Sequence, residues 1–258
     1  MSFQSFRSFV NLFKLTAFLA ATEIELRYNR SVIGPFWITI STTVMLLGLT
    51  VVYGTLFGNE LENYLFYLAP GLIFWTMLTN TVTDATDAFI GEAGIMRQYA
   101  LDLRYVPYKT AIVNFIVMFH NLIILVVLFT FTDHALTFKT SMLSIAAFIL
   151  AFANLTWLSG LVAILSVRFR DLKNLFNSIM TLMFFATPII WRAEDLEGKR
   201  SYIVDFNPVF YFVEMFRGPI TGYPNYNSYF YMAILALFGQ TIFVLVYRRF
   251  EKNIITWL

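Results

Sequence analysis

Few side chains in this sequence are of the kind that make or break bonds. His120 and His134 are well separated, and neither has an acidic neighbour at metal-ligand spacing. His120 stands beside Asn121 in an apolar run, where an imidazole either relays protons or is held by hydrogen bonds between helices. Glu194, Asp195 and Glu197 form an acidic run that suits a solvated surface better than an acid–base pair. Asn80, Asp84 and Asp87 follow helical spacing on one face, and either line a hydrated entrance or mark the polar end of a helix. With no cysteine there is no disulfide framework, thiolate metal site or cysteine nucleophile. No Walker-type loop, no GxGxxG opening a helix and no HExxH occurs. The expectation is a chain that is not an enzyme and holds no cofactor or metal.

The elements that carry these residues are apolar. Six stretches, Ser31–Asn59, Asn63–Thr83, Thr110–Thr132, Thr140–Val167, Asn174–Trp191 and Gly218–Tyr247, each run at least 18 residues without an Asp, Glu, Lys or Arg. A helix crossing the hydrocarbon core needs about 20 apolar residues, because ~30 Å is covered at ~1.5 Å per residue. The reading is an all-α integral membrane protein with six transmembrane helices, forming one membrane domain over residues 1–258. Composition agrees: 59% of residues are hydrophobic and 13% charged, about half the globular share of charge. A net charge of +2 gives no pointer to nucleic acid. The short apolar run Leu15–Ala21 leads into Glu23, Glu25, Arg27 and Arg30, which is unlike a secretory signal.

Orientation follows from the basic residues. Thirteen of the eighteen Lys and Arg fall in the N-terminal segment, the second and fourth connections and the tail. The positive-inside rule puts both termini in the cytoplasm, as an even number of spans requires. In the N-terminal segment 1–30, Phe6, Phe9, Val10 and Phe13 have the spacing of an amphipathic interfacial helix, or of one packed on the bundle. The outer segment 192–229 carries Pro208, Gly218-Pro219, Gly222 and Pro224 between aromatic clusters. Its Tyr202–Val204 and Phe210–Phe216 stretches read as short re-entrant or interfacial helices. The spans lack the mid-membrane charge of an ion-coupled pump, so any energy source lies on another chain. Aromatic residues reach 19%, beyond what belts at the two interfaces account for, and planar rings suit a cargo with C–H faces such as sugars.

Several stretches resemble the membrane subunits of ATP-binding-cassette polysaccharide exporters, the family that moves O-antigen, capsule or teichoic-acid chains. They are Arg27-Tyr-Asn-Arg-Ser-Val-Ile-Gly-Pro-Phe-Trp37, Pro70-Gly71 with Phe74-Trp75, Val167-Arg-Phe-Arg-Asp171, Pro188-Ile-Ile-Trp191, and Asn207-Pro208 with Phe212, Glu214, Phe216 and Arg217. The order matches the family and nearly the whole chain is covered. Two departures stand out: Thr39, Ser41, Thr42 and Thr43 occupy the part of the first span where the family commonly has a proline, and Arg104-Tyr-Val-Pro107 replaces its usual Phe-Pro pair.

The resemblance implies a half-transporter in the bacterial inner membrane: a homodimer with two copies of a separate ATPase, which carries the ATP and Mg. Segment 91–108 would be the ATPase-coupling loop, with Arg97, Gln98, Tyr99 and Arg104, and the loop bearing Arg168, Arg170 and Asp171 would make a second contact. Arg27 and Arg30 would meet the phosphate of a lipid-linked polysaccharide at its entry. Tyr53, Phe57, Phe184 and Phe185 would line the channel by many weak stacking contacts, and Trp191, Phe210, Phe212, Phe216 and Arg217 would belong to an outer gate. Two other readings stay open: a same-superfamily exporter of a small hydrophobic compound, and an ATP-independent membrane carrier.

Overall fold

The computed structural model describes residues 3–29, 31–34, 36–58, 60–99, 102–131, 137–195 and 202–258, with side chains from 12 onward other than that of 195. Arg30 and His134 lie outside the described residues, as do the side chains of Phe6, Phe9 and Val10. The described chain is helical: α1 (Phe3–Tyr28), α2 (Phe36–Leu56), α3 (Leu61–Gly91), α4 (Ala93–Gln98), α5 (Tyr105–Phe131), α6 (Phe138–Arg168), α7 (Leu172–Ala186), a 3-10 turn (Ala193–Asp195), α8 (Tyr202–Asp205), α9 (Pro208–Thr221) and α10 (Tyr226–Trp257).

Five helices, α2, α3 with its continuation α4, α5, α6 and α10, are long and apolar enough to cross a membrane. The fifth charge-free run does not become a sixth such helix. α7 has 15 residues, roughly 22 Å at 1.5 Å per residue, and stops at Ala186. Pro188 is the cause: it disfavours helical geometry at the residue before it, and Thr187 is extended (φ −98°, ψ 136°). The two stretches expected to form short helices do so, as α8 and α9. Asn207 caps α9 by accepting from the Val209 and Phe210 amides, with Pro208 in the first turn.

α3 is the central helix. Some 72% of its apolar window is buried, against 17% for α2, and its 31 residues pack against α2, α5, α6, α7 and α9. Bilayer lipid is as apolar as the helices, so close packing rather than water exclusion decides which faces meet. The α6–α10 pair shows this well. A Cβ on Gly160 would lie 2.3 Å from the Phe243 ring, and one on Gly239 would lie 2.2 Å from the Trp157 ring. Each helix therefore supplies an aromatic knob and a glycine hole to the other.

Part of α1 and the end of α10 meet at one end of the bundle, here the base. There Leu12, Leu19 and Trp257 pack onto a cluster that includes Met96, Leu103, Val167, Tyr247 and Ile254. The opposite end, the crown, carries α8, α9 and the start of α10.

Candidate functional site

At the base, α4 is a short helix held from above and open below. Met96 is buried and seats it on the base cluster, whereas Ile95, Arg97, Gln98 and Tyr99 are exposed. Arg168, Arg170 and Asp171 are exposed at the same end, and Arg168 stacks over the rings of Trp257 (5.6 Å) and Phe169 (5.4 Å). Arg104 differs from the other expected contacts: its guanidinium is engaged by Asp102 at 2.5–2.9 Å. Burial alone pushes the Asp102 carboxyl up, but the hydrogen bonds from Arg104 outweigh it and hold that carboxyl below its ordinary value. Tyr247 of α10 also donates to Asp102, at 3.4 Å. The base thus presents a mixed basic and apolar surface over a packed support.

Along its length the bundle carries a groove between α2 and α7, floored by α3. A cavity of about 400 Å³ there is lined by Met45, Trp75, Thr79, Asn177, Thr181 and Phe185, among others. Phe184 packs on Trp75 (5.6 Å between ring centres) and on Phe185 (5.5 Å), whereas Tyr53 of α2 stacks with Phe57 just beyond its end (5.9 Å), and neither of that pair lines the cavity. Thr79 Oγ1 is buried with no hydrogen-bond partner among the described residues, and Thr83 donates to Asn177 at 3.3 Å. None of the α7 residues is buried. Rings alternating with hydroxyls and an amide give stacking faces and hydrogen-bonding groups along one wall. Of the four rings named from the sequence, Phe184 and Phe185 of α7 lie here, together with Met45, Trp75 and Thr79, which the sequence did not single out as lining. Asn177, Thr181 and Phe184 recur at helical spacing on one face of α7, a signal the sequence did hold.

At the crown, the irregular stretch after α7 is buried, and its carbonyls are satisfied by side chains. Tyr64 donates to the Ile190 carbonyl (2.7 Å), Tyr67 to the Trp191 carbonyl (3.0 Å), and Arg217 Nη1 to the Pro188 carbonyl (2.8 Å). Asn207 donates to Thr187 Oγ1 (2.9 Å) and to the Ala186 carbonyl (3.3 Å). Non-helical backbone inside a membrane protein is tolerated where protein groups replace water in this way.

Arg217 is 2% exposed and Glu214 lies 3.6 Å away. A Cβ on Gly71 would collide with Arg217 Nη2 at 2.2 Å, so the Pro70-Gly71 pair forms the notch that admits the guanidinium. Gly71 is the eleventh residue of α3, roughly 15 Å along it. The charge that the apolar runs themselves lack is therefore carried into the bundle by α9. Phe212 and Phe216 are also buried, with Phe216 stacked on Phe74 at 3.6 Å, so they seat α9 on the core. Phe210 and Trp191 are half-buried at the crown.

Arg27 is ion-paired with Glu23 (2.8 Å) and borders a base cavity of about 490 Å³, where Asp84, Asp87, Glu92 and Lys109 also lie. Asp84 accepts from Asn114 (2.9 Å) and Asp87 pairs with Lys173, so this end of α3 is a polar patch beside a cavity. His120 bonds the Ile116 carbonyl of its own helix (2.7 Å). Among the described residues no group of His, Asp and Glu is arranged to hold a metal ion.

Several apolar helices long enough to cross the bilayer, a polar and aromatic groove along them and an exposed helix beneath make this a multi-pass membrane protein of transporter type. More narrowly, the chain belongs to the ABC-2 type transporter family, whose model matches residues 14–221. Members of that family are transporter membrane subunits and not themselves enzymes. Over 93% of this chain and 95% of the relative, it is 22% identical to an O-antigen export system permease protein RfbA of Klebsiella pneumoniae. A second Klebsiella pneumoniae protein of that name is 23% identical over the same shares. The Myxococcus xanthus protein so named is 24% identical over 74% of each chain.

Proposed function

We propose that this chain is the transmembrane half of an ATP-driven exporter that moves lipid-linked polysaccharide, O-antigen-like in kind, across the bacterial cytoplasmic membrane. In this reading the base faces the cytoplasm and α7, extended by residues 187–191, makes the sixth crossing. Two copies pair across their α2 and α7 faces, and two copies of a separate ATPase, holding ATP and Mg, dock on Ile95, Arg97, Gln98 and Tyr99. Arg168, Arg170 and Asp171 make the second contact. Arg27 and Arg30 border the entry of the lipid phosphate, and α8 and α9 with Trp191 and Phe210 close the outer end.

The observation that carries the reading is the groove. It combines the rings of Trp75, Phe184 and Phe185 with Thr79, Asn177 and Thr181, where α7, left uncovered by the rest of the chain, meets the central α3. Such a wall offers many similar weak contacts to a sliding glycan, whereas a small apolar compound has no use for the polar groups. Conduction demands binding weak enough to release at each step. The names of the relatives support the same cargo class.

Deleting the chain from its host tests the function. Surface polysaccharide should disappear while its lipid-linked precursor accumulates on the cytoplasmic side, and unaltered surface polysaccharide would overturn the proposal.

A further inference from the structure

The base holds an ionic chain that the groove and the exposed face of α4 do not explain. Lys109, on the first turns of α5, bonds two carboxylates from different elements: Glu23 of α1 at 2.7 Å and Glu92. Each carboxylate uses its second oxygen elsewhere. Glu23 accepts from Arg27 at 2.8 Å, and Glu92 accepts from the Tyr105 hydroxyl at 2.8 Å. The order Arg27, Glu23, Lys109, Glu92, Tyr105 alternates in charge and is neutral in sum. Tyr105 is fully buried and Glu92 is 8% exposed. Arg27 and Glu23 at the outer end reach solvent, but Lys109, Glu92 and Tyr105 are almost wholly withdrawn from it and satisfy one another, so opening either inner link strands a charge away from water and the inner part holds one arrangement.

Its position gives the chain a purpose. Glu92 is the joint between α3 and α4: its amide closes the end of α3 and its carbonyl accepts from Met96 (2.9 Å) to start α4. Glu23 lies on the last turns of α1, which is seated on α5 by Ala20 and Ile24 against Val113 and Val117. A cavity of about 490 Å³ borders α1, α3 and α4, so apolar packing does not close the space between them. Lys109 bridges the wall of that cavity and is the one side chain that bonds both Glu23 and Glu92 among the described residues.

We propose that Lys109 is a positioning residue that ties α1 and α4 into one moving body, so that displacement of α4 by the ATPase is delivered to α1 and to the entrance beside it. The proposal rests on the reading of α4 as the ATPase-facing helix. Coupling between sites is carried by rigid elements and salt-bridge networks, and an ion chain that joins two helices makes them one rigid element.

The absence of cysteine allows spin labels to be placed singly at Glu25 and Gly94, both exposed, on α1 and α4, and a side chain at position 94 meets open space. Pulsed electron resonance on the full chain in lipid nanodiscs, alone and with its ATPase, then reads the α1–α4 distance. In the wild type one narrow distribution is expected, unchanged between nucleotide-free and ATP-bound complexes. Lys109→Met with Glu92→Gln removes both buried charges together. It should broaden that distribution and lower glycan exported per ATP hydrolysed by about tenfold, while the complex still assembles. If that double variant fails to fold, Glu23→Gln, which opens only the α1 arm, should give the same broadening. A narrow distribution in the variant with undiminished export per ATP would overturn the tie, as would a wild-type distance that changes with ATP. Should no ATPase bind at all, the functional reading falls. The label distance in the chain alone then still decides, and equal widths in wild type and variant refute the role of Lys109.

Discussion

The guanidinium carbon of Arg217 sits 4.1 Å from the centre of the Tyr67 ring, and its Nη1 donates to the hydroxyl of the same tyrosine at 2.7 Å. This one residue joins α9, α3 and the stretch after α7, since the same nitrogen also reaches the Pro188 carbonyl. Arg217→Gln leaves half-buried Glu214 without its partner, removes the donor to the buried Pro188 carbonyl and should destabilise the protein by about 3 kcal/mol. Arg217→Lys should recover little of this, because an ammonium lacks the planar fork that stacks on the ring while bonding two oxygens. Thermal unfolding of purified protein checks both, and an unchanged midpoint in Arg217→Gln would contradict the assignment.

The Gly160–Phe243 contact makes a prediction about α6 and α10. Gly160→Ala forces the two helices apart and should cost about 1–3 kcal/mol, typical of overpacking. Adding Phe243→Ala to it should return part of that loss, since the ring is what the new methyl meets. Additive destabilisation in the double variant would show that the two residues do not share a contact.

For the proposed glycan path, Phe184→Ala with Phe185→Ala in the groove, and Tyr53→Ala with Phe57→Ala beyond it, should each reduce surface polysaccharide severalfold. None of the four is fully buried, so yield and assembly should hold. Quantitative glycan blotting beside a complex-assembly assay separates the two effects. Wild-type export from the fourfold alanine variant would remove these rings from the translocation path.

Acid should loosen the base through Asp102. The folded-state pKa of this group is depressed by Arg104 in spite of burial. Its contribution is therefore present above the unfolded value, about 3.9, and is lost as pH falls through the lower folded value. Hydrogen-exchange protection of the α4–α5 junction should hold from pH 7 to pH 5 and fall only under stronger acid. Asp102→Asn should lower protection at pH 7 and flatten that dependence.

Much of the architecture was legible in the sequence because charge-free runs and basic connections are coarse features that single side chains rarely upset. α2, α5 and α6 follow their runs closely, whereas α3 and α10 continue well past the ends of theirs into charged sequence. α7 stops short of the end of its run, and the reason was in view: Pro188 disfavours helical geometry at Thr187, although Pro70 and Pro219 are accommodated inside α3 and α9. What stayed hidden was pairing across the fold. Lys109 counted only as a basic residue of an inner connection, yet its partners are 86 residues upstream and 17 upstream on two other elements. Arg217 was placed at an outer gate by resemblance, and nothing in its neighbours announced that Gly71 and Tyr67 would receive it in the core. Periodicity tells which face of a helix is polar, but not which distant side chain meets it.

The central claim is that α4 is the seat of a separate motor. Its most direct test is mild-detergent purification of the tagged chain from its host, followed by mass spectrometry of what accompanies it. The account predicts a stoichiometric ATPase with a Walker A loop, and its loss when Arg97→Glu and Tyr99→Ala alter the exposed face of α4 while the chain still folds. A chain that purifies alone, under conditions that keep other membrane complexes intact, would contradict it.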